Sequence, residues 1–97
     1  MPGYIGLLKW TPQGTADLKN APERIKQGRA LAEKLGAQVV GVWVTMGPYD
    51  MVAIGDFPND EAVAQWALTM CRMGNVTTLT MRALSEDEFA QVVSKLP

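Results

Sequence analysis

Few residue types that do chemistry occur in this sequence, and those worth weighing lie near a Gly-Pro-Tyr-Asp segment. Tyr49 and Asp50 place a phenol beside a carboxylate, and Lys9 lies near the end of an earlier apolar segment. A carboxylate held in an apolar site takes a raised pKa and can transfer protons, so these three residues are the catalytic candidates. The structural alternative, which we favour, is that Asp50 bonds to nearby amides in a tight turn while Tyr49 packs across a hairpin.

Two tryptophans indicate a binding surface. Trp10 and Trp43, together with Lys9, predict a pocket for a flat or anionic small molecule, because aromatic walls and one charge suit such a ligand. The ligand-binding candidates are Trp10, Trp43, Tyr49 and Asp50. Tryptophans also anchor protein interfaces, and we favour this second interpretation.

The residue types that the sequence lacks exclude several classes of active site and cofactor site. The sequence contains no histidine, which excludes Ser-His-Asp and Cys-His nucleophiles, histidine metal sites and histidine-bound haem. Phosphate-binding glycine motifs are absent and one cysteine cannot form a zinc site, so no metal and no cofactor are expected. Cys71 follows Ala67 by one helical turn, which predicts a small buried hydrophobe rather than a reactive thiol.

Length and charge predict a small protein without polyanionic partners. The 97 residues suit one domain over residues 1–97, and 47% apolar with 20% charged residues is typical of globular chains. The net charge of −1, without long blocks of either sign, predicts no binding to nucleic acid or membrane. A single cysteine and no visible export signal favour a cytoplasmic location.

The pattern of apolar residues predicts an α+β fold. Strands are expected over residues 4–11, 38–46, 51–57 and 76–84, and helices over residues 17–35 and 62–73. Pro22 either lies near the first turn of the first helix or marks the true start of the regular helix. Ser85 and Glu88 form a capping box for a final helix that carries Phe89, Val92, Val93 and Leu96. Pro12, Gln13 and Gly14 are interpreted as a turn. The order is the ferredoxin-like βαββαβ pattern with an antiparallel sheet and an added C-terminal helix.

The second predicted strand is apolar on both sides, which bears on self-association. One side carries Val40, Val42, Val44 and Met46, and the other carries Val39, Gly41 and Trp43. Because helices cover only one face of such a sheet, the other face needs a cover. We expect a second copy to pack there and form a homodimer or a higher even oligomer. The alternative is that the C-terminal helix or loops cover it.

Several segments carry a resemblance to a known family. They are Gly47-Pro48-Tyr49-Asp50-Met51-Val52 followed by Asp56-Phe57-Pro58-Asn59-Asp60, the opening Tyr4-Ile5-Gly6-Leu7-Leu8-Lys9-Trp10-Thr11, the helical Leu31-Ala32-Glu33-Lys34-Leu35-Gly36-Ala37, and Met81-Arg82-Ala83-Leu84. Together they resemble the GYD-domain family over nearly the whole chain. The resemblance implies a dimeric α/β-barrel, in which two ferredoxin-like sheets pack around a lumen. It implies little about activity.

Three functional hypotheses follow. The first is a homo-oligomeric module without enzymatic activity that binds a small molecule in the barrel lumen, or another protein. The second is a cofactor-independent enzyme resembling monooxygenases and isomerases of the dimeric barrel type, with Tyr49, Asp50 and Lys9 as its acid–base set. The third is a structural or assembly subunit. The fold alone does not choose among them, so whether the chain is an enzyme stays open.

Overall fold

The computed structural model describes every residue from Met1 to Pro97 and contains four strands and four helices. The strands are β1 (Gly3–Trp10), β2 (Gln38–Val44), β3 (Met51–Asp56) and β4 (Val76–Ala83). The helices are α1 (Pro12–Ala16), α2 (Ala21–Lys34), α3 (Asp60–Arg72) and α4 (Glu86–Ser94), and a 3-10 turn, Leu18–Asn20, joins α1 to α2. None of these helices is long and apolar enough to cross a membrane.

The start of the first helical region differs from the prediction. Residues 12–14, interpreted as a turn, belong to α1. The long helix begins at Ala21 rather than at residue 17, with Pro22 in its first turn, which agrees with the alternative that Pro22 marks the true start. Thr11 makes α1 possible, because its hydroxyl accepts a hydrogen bond from the amide of Gly14 at 3.2 Å. Gly14 is buried so close to β4 that a Cβ atom there would overlap the carbonyl oxygen of Asn75.

The sheet has the predicted ferredoxin-like topology. Its strand order is β2-β3-β1-β4, and every neighbouring pair is antiparallel. β1 and β2 are therefore parallel to each other with β3 between them, as in a split βαβ unit. The sheet does not close on itself, because β2 and β4 are free edges.

Alternation along the strands assigns two faces to the sheet. In β1, Tyr4 and Leu8 are buried and point toward α2 and α3, so Ile5 and Leu7 lie on the opposite face. The predicted faces of β2 were wrong, because a bulge at Val40 shifts the register between Val39 and Gly41. The bulge puts Val39 on the helix side together with Val42.

Aromatic side chains hold the helix layer to the sheet. Phe57 meets Tyr4 edge-on at 5.8 Å between ring centroids and meets the Trp66 ring at 6.2 Å. The indole Nε1 of Trp66 donates to the carbonyl oxygen of Gly28 at 3.0 Å, which ties α3 to α2. Cys71 is exposed and not buried as predicted, because it lies one position beyond the buried stripe in the last turn of α3.

The C-terminal helix α4 stands apart from the rest of the fold. The predicted capping box is present: the Ser85 hydroxyl accepts from the Glu88 amide and the Glu88 carboxylate accepts from the Ser85 amide, both at 3.1 Å. Every residue of α4 is exposed.

The whole chain measures 52 × 29 × 19 Å, with a radius of gyration of 14.6 Å. A compact domain of about 100 residues has a radius of about 13 Å, so the shape is extended.

Candidate functional site

The sheet face turned away from α2 and α3, called the open face below, is an apolar surface that no helix covers. It carries seven large apolar side chains: Ile5, Leu7, Trp43, Val52, Ile54, Leu79 and Met81. Four strands about 4.8 Å apart, each rising about 3.3 Å per residue, give it a footprint of roughly 400 Å². The largest apolar patch of a typical soluble monomer is about 300–600 Å² and is often functional. The open face therefore has the character of a binding surface.

Trp43 extends the open face over the edge strand β2. Its indole lies against the backbone of Gly41, where an added Cβ atom would be 2.5 Å from the ring carbon Cη2. The side chain is 50% exposed, which leaves half of a large aromatic surface in contact with water. Glycine at position 41 lets the indole lie flat on the strand.

Charges mark the two ends of the open face. Lys9 extends from the last part of β1, and Asp56 pairs with Gly3 at the opposite end of that strand. Asp56 shares its side of the sheet with Gly3, because a Cβ atom at Gly3 would lie 3.3 Å from the Asp56 Oδ1 atom. One cation and one carboxylate thus lie at opposite ends of the apolar surface.

The catalytic candidates come together at the hairpin end of the sheet. The amide of Trp10 donates to the Asp50 carboxylate at 2.9 Å, and the amide of Asp50 donates to the carbonyl of Leu8 at 2.9 Å. The Thr45 hydroxyl donates to the carbonyl of Tyr49 at 2.7 Å. The two bonds of Asp50 hold the turn against the end of β1.

Lys9 and Tyr49 form the one direct side-chain contact between catalytic candidates. The Lys9 ammonium lies 5.5 Å from the centroid of the Tyr49 ring, which is the geometry of a cation–π pair. Lys9 is exposed and Tyr49 is half-buried. The pair could contact an anionic or aromatic group at this end of the open face.

The two tryptophans do not share a pocket within one chain. Trp10 pairs with the buried Val76 and packs against the core on the helix side of the sheet. Trp43 pairs with Val52 on the open face. The sheet separates the two indoles.

Sequence reasoning missed a polar cluster at the start of β1. The Tyr4 hydroxyl donates to the carboxylate of Asp60, and the Arg82 guanidinium lies 5.8 Å from the centre of the Tyr4 ring. The hydrogen bond to Asp60, and then burial, raise the pKa of Tyr4, while Arg82 acts in the opposite direction. The buried side of β1 was a usable signal for Tyr4, but its partner lies 56 residues away. The cluster ties the start of α3 to the sheet.

A cavity on the helix side of the sheet was also missed. It has a volume of about 130 Å³ and lies between the sheet, α2 and α3. Small residues of the two central strands, Gly6, Ala53 and Gly55, form its floor. Tyr4, Trp10, Phe57 and Trp66 are among its walls.

Comparison with known proteins decides the family. The sequence model of the GYD domain matches residues 4–93. The chain belongs to the GYD domain family. The resemblance inferred from the sequence is thereby confirmed, and the match extends from the second residue of β1 to the penultimate residue of α4.

One relative of this GYD domain chain is a protein from Thermus thermophilus named glutamine synthetase and cystathionine beta-lyase binding protein. The two sequences are 34% identical over 85 residues, which cover 87% of this chain and 90% of the relative. The relative is thus similar along almost its entire length. Its name describes binding to two other proteins.

Proposed function

We propose that this GYD domain protein is a homodimeric protein-binding module without enzymatic activity. In this proposal two copies pack through their open faces, and each copy presents α4 to a partner protein. The observation that carries the proposal is the uncovered apolar open face. The name of the Thermus thermophilus relative supports the binding role.

The composition of the open face favours a second copy as its occupant. Trp43, Leu79 and Met81 are exposed, and fully burying one exposed large apolar side chain contributes about 1.5–3 kcal/mol, so covering the open face favours association. A two-fold axis places identical patches against each other, which requires a self-complementary surface. Antiparallel packing of the two faces brings Lys9 of each copy toward Asp56 of the other. The opposite charges at the two ends of the open face therefore favour this orientation.

The C-terminal helix suits a protein partner. Phe89, Val92 and Val93 recur at spacings of three and four, so they form one exposed apolar stripe on α4, and the exposed Leu96 follows just past the end of the helix. The capping box preforms the helix, which reduces the entropy lost when it binds. A preformed amphipathic helix is typically recognised by an apolar groove of a partner. In a dimer two such helices are available, which increases binding to an oligomeric partner through multivalency.

Binding to purified glutamine synthetase and to cystathionine beta-lyase of the source organism tests the partner role. We expect at least one of these enzymes to bind in calorimetry, and Phe89→Glu to abolish that binding while the chain stays dimeric. Gln91→Glu places the same charge elsewhere on α4 and should bind normally. Failure of both enzymes to bind contradicts the partner assignment. Loss of the dimer in Phe89→Glu assigns α4 to self-association instead.

A second candidate is small-molecule binding in a lumen between the two packed sheets, and the Lys9–Tyr49 contact favours it. An anionic aromatic compound at the end of the open face would meet an ammonium and a phenol ring together. Native mass spectrometry of the dimer tests this candidate. Retained small-molecule mass that is lost in Lys9→Gln supports it, and a dimer at its sequence mass under the same conditions contradicts it.

A further inference from the structure

We infer that the cavity between the sheet, α2 and α3 is a binding site for a compact aromatic molecule that carries one anionic group. The cavity has a volume of about 130 Å³. It lies on the opposite side of the sheet from the open face, so it is independent of the proposed dimer interface. The assignment rests on the floor, the walls and the rim of the cavity.

The floor is made by residues too small to fill the space. Gly6 pairs with Ala53, and Gly55 is the next residue of β3 on the same side of the sheet. A glycine within a strand weakens the strand and often marks a close approach by a ligand or another backbone. A Cβ atom at Gly6 would make ordinary contacts with Leu8 and Thr78, at 3.6 and 3.7 Å, so packing within the chain does not itself require a glycine there. At Gly55, by contrast, the carbonyl oxygen of Gln38 lies 3.1 Å from the position of an added Cβ atom.

The walls require the body of the ligand to be apolar. Aromatic rings and the Met70 thioether surround the space. Two polar wall groups are already engaged, because Tyr4 donates to Asp60 and the Trp66 indole donates to Gly28. No buried side-chain nitrogen or oxygen lacks a partner. A cavity of about 150 Å³ lined by apolar side chains accommodates benzene, so this one suits a single six-membered ring.

The rim supplies one uncommitted charge. Arg24 and Arg29 of α2 both border the cavity. Arg24 is occupied by Asp17, at 3.4 Å, and by the carbonyl of Gly14, at 3.0 Å. Arg29 takes part in neither of the two ion pairs of the chain, Arg24–Asp17 and Arg82–Glu88. Its guanidinium can therefore bind a carboxylate at the mouth while the ring occupies the cavity.

Titration of the full-length protein with benzoate and with toluene, followed by ¹H–¹⁵N NMR, tests the site. Both probes should shift amide resonances of Gly6, Gly28 and Ala53. Ala53→Leu fills the floor and should weaken both probes by about 10-fold or more. Arg29→Gln should weaken benzoate several-fold and leave toluene unchanged. Gly6→Val is a second filling variant in case Ala53→Leu misfolds, and the dispersion of each spectrum verifies folding.

The outcomes separate the parts of the inference. Absence of binding by both probes, or equal binding to the wild type and a folded filling variant, overturns the site. Toluene binding without benzoate binding overturns the anionic group, as does benzoate binding that Arg29→Gln leaves unchanged. Because the dimer is proposed on the other face, its presence or absence in the same samples does not alter these conclusions.

Discussion

The backbone amide of Trp10 donates a 2.9 Å hydrogen bond to the carboxylate of Asp50. The bond joins the end of β1 to the residue that precedes β3, and the amide of Asp50 donates back to the carbonyl of Leu8 at 2.9 Å. The Tyr-Asp dipeptide of the family motif therefore has a structural role in this chain, since its aspartate closes the turn against the central strand.

Replacing Asp50 should lower the stability of the fold, and the loss should be larger when the new side chain has no hydrogen-bond acceptor. We expect Asp50→Ala to reduce the free energy of unfolding by about 1–3 kcal/mol, because the amide of Trp10 loses a charged partner. Asp50→Asn keeps an oxygen acceptor and should lose less. Urea denaturation measures both values. Equal stability of Asp50→Ala and the wild type would contradict the structural role.

Gly14 should tolerate no side chain. A Cβ atom at this position overlaps the carbonyl oxygen of Asn75, so Gly14→Ala must push α1 away from β4. We expect a loss of at least about 1–3 kcal/mol, which is typical of overpacking. Gly6→Ala is the matched control, because its Cβ has ordinary contacts and the strand prefers alanine to glycine. Thermal denaturation should therefore separate the two variants, and similar melting temperatures would refute the close approach.

The proposed antiparallel packing predicts a charge-swap effect. Lys9→Glu should weaken the dimer several-fold, because the new carboxylate faces Asp56 of the other copy. Asp56→Lys should weaken it similarly, and the double variant Lys9→Glu/Asp56→Lys should recover most of the affinity. Dissociation constants from sedimentation equilibrium measure these changes. Additive losses in the double variant would exclude this orientation.

The strands and α3 could be predicted from sequence because their apolar patterns are local. The start of α4 could also be predicted, because Ser85 and Glu88 lie only three residues apart in the sequence and form the expected capping box. The faces of β2 could not be predicted, since the bulge at Val40 leaves no mark in the alternation of a strand that is apolar throughout. The helix α1 was missed because Pro12 and Gly14 suit a turn as well as a capped helical turn.

The candidate site residues likewise divide into those whose positions depend on local sequence and those whose positions depend on the folded sheet. Lys9, Tyr49 and Asp50 were grouped correctly in space because a hairpin end brings them together. Trp10 and Trp43 were wrongly expected to share a pocket. They lie on opposite faces of the sheet, and the face on which each residue lies is set by the register of the strands. The cavity was invisible because it results from small residues in strands that neighbour each other only after folding.

The helix α4 should respond to acid through Glu88. The amide of Ser85, followed by Arg82 at 3.3 Å, lowers the pKa of Glu88 below its ordinary value of 4.5. A lowered pKa in the folded state means that the stabilisation is complete above pH 4.5 and is lost as pH falls through the lowered pKa. Amide NMR signals of residues 86–94 should therefore lose helical shifts at low pH. Glu88→Gln keeps the capping box and should not show this transition, whereas an unchanged transition would assign it to another group.

Sedimentation velocity of the wild type and of Ile54→Glu tests the central claim most directly. Ile54 lies at the centre of the open face beside Ile5, so a carboxylate there should separate the copies. Leu68→Glu, on the exposed side of α3, is the matched control. We expect a dimer for the wild type and for Leu68→Glu, and a folded monomer for Ile54→Glu. A monomeric wild type, or a dimer that Ile54→Glu leaves intact, would contradict packing through the open face.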